Sequence, residues 1–243
     1  MNWIGIVTLT LFTIVFIITL KVYSRTNPSS VFDPIRFMAR VAIFGGMSAI
    51  LYIVPVFQVN LFFFPSFLAL HFDEIPAFIC GFAYGPWAAF AVIAIKTIFK
   101  LPFTSSMMVG ELTDFILSSL YVVPAVLIYQ RMRNLRGVSL AFGVATFVQL
   151  TASMLLNVYV MIPFYEYMMG FSESGLLFVI HKAIPWISDV GWSYAFFAVL
   201  PFNALKDAIV IVITFIIYRN IHVVLRFTDG RGIGKKMKKK TTE

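Results

Sequence analysis

Charge is scarce in this 243-residue chain: 12% of its residues are Asp, Glu, Lys or Arg, while 60% are hydrophobic. A soluble domain of this size needs a polar shell, and this composition does not supply one. Cysteine is scarcer still. The single Cys80 excludes an internal disulfide framework and any structural zinc site built on several thiolates; within its apolar run it reads as a small buried hydrophobe. The three histidines, His71, His181 and His222, are scattered and give no metal-ligand spacing. No nucleophile and base stand together as an intramembrane hydrolase would need, which leaves Glu111 and Asp114 as the one candidate acid/base pair. The tail Gly230-Arg231-Gly232-Ile233-Gly234-Lys235-Lys236 is not a phosphate loop. Its glycine spacing is wrong, Lys236 replaces the required Ser or Thr, and an apolar helix precedes it instead of a strand. The chain reads as a non-enzyme with no cofactor and no ATPase motif of its own.

What is present is apolar length. A mean hydropathy of +0.90, with 27 Phe and 11 Met, indicates an all-α polytopic membrane protein. Apolar runs predict helices over 39–57, 74–84, 87–101, 111–130, 140–167 and 193–221. An additional run over 3–20 lacks the leading positive charge and small-residue cleavage site of a signal peptide, so it reads as a retained extra helix. The expected architecture is six core transmembrane helices plus one at the N-terminus. Three segments follow: 1–30, the extra helix and a polar linker; 31–225, the membrane domain; 226–243, a basic tail suited to anionic lipid.

The net charge of +8 is explained by topology, not by nucleic acid. Residues 73–101 form either one kinked helix or two short helices turned at Gly85-Pro86. With two helices, Lys21, Arg25, Arg36, Arg40, Arg131, Arg133, Arg136 and the basic residues from Arg219 to Lys240 share one side. Lys96, Lys100 and Lys182 then fall on the other, and Lys206 lies inside the membrane. The positive-inside tendency selects this arrangement and makes the C-terminus cytoplasmic and the N-terminus extracellular in the plasma membrane. The 74–84 helix is too short for a full bilayer alone, so it must tilt or pack behind its neighbours.

That topology gathers the polar groups in the outer half. Asn157 lies toward the outer end of the fifth core helix; Asn203 and Lys206, three apart, share one face of the sixth. Glu111 and Asp114 stand at the outer start of the fourth. Ionisable and amide groups inside a membrane mark a function by default. Their structural alternatives are interhelical hydrogen bonds for the two Asn, a buried pair of Lys206 with Asp207 or Glu111, and helix capping for Glu111 and Asp114. A pocket open to the outside is expected here, with the Phe-rich connection 58–72 as its lid.

The ordered set Asp73-Glu74-Ile75-Pro76-Ala77, Gly81-Phe82-Ala83-Tyr84-Gly85-Pro86, Val109-Gly110-Glu111-Leu112 with Phe115, Asn157-x-Tyr159 with Pro163, and Pro201-Phe202-Asn203-x-Leu205-Lys206 resembles the substrate-binding S components of energy-coupling factor (ECF) vitamin transporters, of the riboflavin-binding type. The resemblance covers about 36–221. It implies capture of riboflavin from outside and delivery through a transmembrane coupling subunit driven by two ATP-binding subunits. It further implies that Asn157, Asn203 and Lys206 hydrogen-bond the flavin, and Glu111, Phe67 and Leu68 complete the candidate substrate-binding set. Asp114 departs from the family's usual Asn, and Asp207 from its common Gly; Asp207 is expected to compete for Lys206. On the first core helix, Ala42-x-x-x-Gly46 and Gly45-x-x-x-Ala49 allow close helix approach. This spacing alone favours internal packing over partner docking, whereas the resemblance implies docking of the coupling subunit.

Overall fold

The computed structural model describes residues 34–65, 67–104, 106–132 and 135–228. The expected helix over 3–20, its linker and the tail from 229 onward lie outside the described residues, as do Lys21, Arg25 and Arg133. The described residues are mostly helical. Helix α1 spans Pro34–Ile53, α2 Glu74–Tyr84, α3 Pro86–Lys100, α4 Val109–Arg131 and α5 Leu135–Leu156. A π-helical stretch, Asn157–Met161, joins α5 to α6 (Ile162–Tyr167). After α7 (Glu173–His181), the short α8 (Trp192–Tyr194) passes through a second π stretch, Ala195–Val199, into α9 (Leu200–Thr228).

Among the described residues, four continuous helical segments are long and apolar enough to cross a membrane: Pro86–Phe103, Val109–Arg131, Arg136–Tyr167 and Trp192–Ile217. Phe37–Ile53 and Glu74–Tyr84 are shorter apolar helices. The 23 residues of α4 rise about 34 Å, enough for a hydrocarbon core of about 30 Å, whereas the 11 of α2 reach only about 16 Å.

Two helices, not one, fill residues 73–101, and Gly85 is the reason. Its φ of 106° and ψ of 172° are open to glycine and strained for any residue with a Cβ. Pro86 then starts α3 at a position where a missing N–H costs nothing. Helix α2 is buried along its length from Glu74 to Phe82, which explains its apolar character on every side. Phe78 and Phe82 pack on Tyr121, Tyr129 and Phe142 at ring-centroid distances of 4.7–5.8 Å. This short helix is thus the bundle's centre, with α1, α3, α4 and α9 around it.

A second core closes one end of the bundle. Phe64 and Leu70 from the α1–α2 connection pack with Leu176 and Ile180 of α7, Tyr194 of α8 and Phe202 of α9. The connection is pinned by a two-residue antiparallel ladder, Val59 opposite Leu70 and Asn60 opposite Ala69. The sequence reading had no element for α7. Its nine residues follow the N-cap Ser172, whose hydroxyl accepts from the Gly175 N–H, a cap too short-ranged to signal a helix by periodicity.

Both π stretches have one local cause. Each five-residue stretch ends two positions before a proline, Pro163 in one and Pro201 in the other. Proline has no N–H, and its ring crowds the carbonyl four residues back. The preceding turn therefore widens, and such widened turns are frequent at functional sites.

Candidate functional site

Against the second core lies a cavity of about 610 Å³, within the range of small-molecule sites. Asn157, Asn203, Lys206, Glu111, Phe67 and Leu68, named from sequence, all line it. Asn157 opens the first π stretch, and its Nδ2 donates to the Ser153 carbonyl at 2.9 Å. Asn203 sits two residues past Pro201; its Nδ2 donates to the Val199 carbonyl at 2.8 Å, while its Oδ1 accepts from Gln149 Nε2 at 3.0 Å. Each asparagine therefore donates to a carbonyl four residues back in its own helix, beside a π stretch.

Beneath the amides runs a buried ionic network. Lys206 Nζ donates to Glu74 Oε1 at 2.5 Å. Lys96 Nζ pairs with Asp73, with Asp114 Oδ2 at 2.9 Å and with the Ser118 hydroxyl at 2.8 Å. Three carboxylates thus face two ammonium groups, and all three offer oxygens within 4.8 Å of one another. The lysines supply the positive charge that such a cluster requires when buried.

Several expectations change. Lys206 pairs with Glu74, not with Asp207 or Glu111. Asp207, one residue on, is rotated about 100° around α9; both of its carboxylate oxygens are buried without a hydrogen-bond partner. It does not compete for Lys206. Lys96, assigned by charge distribution to a membrane surface, is fully buried. Nor do Glu111 and Asp114 cap α4: Met108 is its N-cap residue and there is no side-chain cap bond. Glu111 Oε2 accepts from the hydroxyls of Thr104 and Ser106 at 2.8 and 2.9 Å, whereas Asp114 belongs to the Lys96 network. The two carboxylates are engaged separately, without a shared acid/base site.

Residues missed by sequence reading include Gln149, Tyr52 and His71, which also line the cavity. Tyr52 meets His71 edge-to-face at 5.2 Å. Burial, although opposed by the nearby Asp73, holds the His71 imidazole below its ordinary pKa. The available signals were weak, since a lone glutamine in an apolar helix and a histidine in a loop are each common without a ligand.

The small-residue stripe of α1 divides. Ala42 is exposed, and a Cβ on Gly46 would meet nothing within 4 Å. Gly45 and Ala49 are buried; a Cβ on Gly45 would stand 2.8 Å from Ile95 Cγ2. That second pair serves close approach of α3, so only Ala42 and Gly46 remain on an open face.

The family profile described as "ECF transporter, substrate-specific component" matches residues 36–218. A riboflavin transporter, RibU, of Staphylococcus aureus (strain TCH60) is 23% identical over 177 residues, covering 72% of this chain and 86% of the relative. The riboflavin transporter FmnP of Bacillus subtilis (strain 168) is 27% identical over 158 residues, covering 63% and 76%. A solved structure, described as the S component of a bacterial ECF transporter, superposes with a TM-score of 0.60 at 19% identity over 79% of this chain and 98% of its own; the fold is shared.

Proposed function

Because this chain belongs to the substrate-specific components of ECF transporters, we propose that it captures riboflavin for an ATP-driven importer. The observation that carries the reading is the convergence of Asn157, Asn203 and Lys206 on one cavity with apolar walls. The pyrimidine edge of a flavin alternates carbonyl acceptors with an imide N–H, and carboxamides offer both donor and acceptor. Lysine adds donors only, suited to a carbonyl, a ring nitrogen or a ribityl hydroxyl. Phe67, Leu68 and Tyr165 offer the tricyclic ring the offset or edge contacts that aromatic surfaces prefer, and Glu111 accepts from ligand hydroxyls.

In this reading the chain is a multi-pass protein of the plasma membrane, taking its ligand at the extracellular face, with residues 31–225 as the binding domain and the tail in the cytoplasm beside anionic lipid. Ala42 and Gly46 form the open face on which a transmembrane coupling subunit docks, and two ATP-binding subunits supply the hydrolysis. The binding chain itself catalyses nothing. Titrating purified protein with riboflavin should quench flavin fluorescence to a saturating endpoint. Absence of both quenching and copurified flavin absorbance refutes the vitamin assignment.

A further inference from the structure

Among the described residues, the buried side-chain atoms without a hydrogen-bond partner include one from a cavity-lining residue, Oε1 of Gln149. Gln149 is 2% exposed, so this oxygen is shielded from bulk water, in a residue that lines the cavity. The orientation of the amide follows from its neighbours. Asn203 Nδ2 is held by the Val199 carbonyl, which fixes Asn203 Oδ1 as the atom facing Gln149. An oxygen there requires a donor, so Gln149 presents Nε2 to it, and its own oxygen is left over. Turning either amide would set two like groups against each other.

We propose that Gln149 determines specificity, its side-chain oxygen accepting a hydrogen bond from a ligand N–H, which in riboflavin is the imide N–H. This rests on the riboflavin reading and adds a residue to it. The other polar groups fit around that assignment. Lys206 gives one hydrogen to Glu74 and keeps others for a carbonyl beside the imide. Lys96 has three oxygen partners, Asp73, Asp114 and Ser118, and none of its N–H bonds is left for a ligand. Asn203 accepts from Gln149 and donates one of its two amide hydrogens to Val199, so it positions Gln149 and keeps the other hydrogen for the ligand.

An imide, and not a ribityl hydroxyl, suits this acceptor. Gln149 and Asn203 are both buried, at 2% and 8% exposure, whereas Gln58, Asn60 and Ser106 line the same cavity from half-exposed or exposed positions. Freely rotating hydroxyls can be satisfied with water's help at that wetter end. A rigid ring with one fixed N–H needs one fixed acceptor. Sites built this way reject analogues lacking the donor strongly, because the acceptor is then left unpaired.

The test compares riboflavin with its imide-N-methylated analogue, titrated by fluorescence quenching against the unmodified full chain and Gln149→Met. The unmodified chain should prefer riboflavin by about a hundredfold. Gln149→Met should bind riboflavin about tenfold more weakly and lose at least a tenfold share of that preference. Undiminished preference in Gln149→Met overturns the role of Gln149 while leaving riboflavin binding standing. Failure of the unmodified chain to bind riboflavin overturns the vitamin reading and this inference with it. If Gln149→Met is not monodisperse in detergent, Gln149→Leu replaces it in the same comparison, and undiminished preference there is equally fatal.

Discussion

Replacing Lys206 with Met separates what holds the bundle from what reads the ligand. Lys206 Nζ stands 2.5 Å from Glu74 Oε1, with the two side chains 8% and 2% exposed. Asp73, Glu74 and Asp114 against Lys96 and Lys206 leave the network one negative charge in excess; removing Lys206 leaves two. Breaking a buried pair from one side costs about 3–5 kcal/mol, because the remaining charge is stranded. For a chain of this size that corresponds to a thermal midpoint lowered by roughly 10 °C. Sequence reasoning alone expects Lys206→Met to spare the fold. A partner 132 positions away changes that expectation.

Adding Glu74→Gln removes the stranded carboxylate while keeping its shape. The double variant should recover most of the lost stability but not the riboflavin affinity, which depends on the missing ammonium. Glu74→Gln alone should be milder than Lys206→Met, since Lys206 lines the cavity and can take water, whereas Glu74 does not line it. The assay pairs thermal unfolding in detergent, followed by tryptophan fluorescence, with riboflavin titration of all four proteins. A wild-type midpoint for Lys206→Met refutes the structural part of this reasoning. Full affinity in the double variant refutes the binding part.

The pattern of legibility follows the range of the interactions involved. Apolar runs and Gly85-Pro86 are local, and the structure bears out α2, α3 and the turn between them within a residue or so. Asn157, Asn203 and Lys206 were conspicuous because amides and cations are costly in apolar helices. What sequence did not disclose was pairing: Lys206 with Glu74, Lys96 with Asp73 and Asp114, Gln149 with Asn203. Each joins different helices, so no spacing along the chain encodes it. Lys96 shows the consequence, since counting charges assigned it to a surface, while the carboxylates that make its burial tolerable come from α4 and from the residue preceding α2. The same dependence explains Gly45 and Gly46. They are adjacent in sequence and of one type, yet rotation about α1 gives one to α3 and the other to the outer face.

Further substitutions at Gly85 and along α1 test the scaffold and the proposed docking face. Gly85→Ala forces a Cβ into φ 106° and ψ 172°, which should cost about 1–3 kcal/mol; thermal unfolding should register the loss, with riboflavin affinity of the folded fraction unchanged. A wild-type midpoint would mean that the turn relaxes without strain. Gly45→Leu and Gly46→Leu, one residue apart, should fail in opposite ways. At Gly45 even a Cβ would reach within 2.8 Å of Ile95 Cγ2, so the variant should lose stability by about 1–3 kcal/mol or more through overpacking. At Gly46 an added Cβ meets nothing within 4 Å, so stability and riboflavin binding should persist while copurification with the coupling subunit falls. If Gly46→Leu assembles normally and Ala42→Leu does likewise, this face of α1 is not where the partner sits, because bulk added at the centre of a close helix contact cannot be neutral.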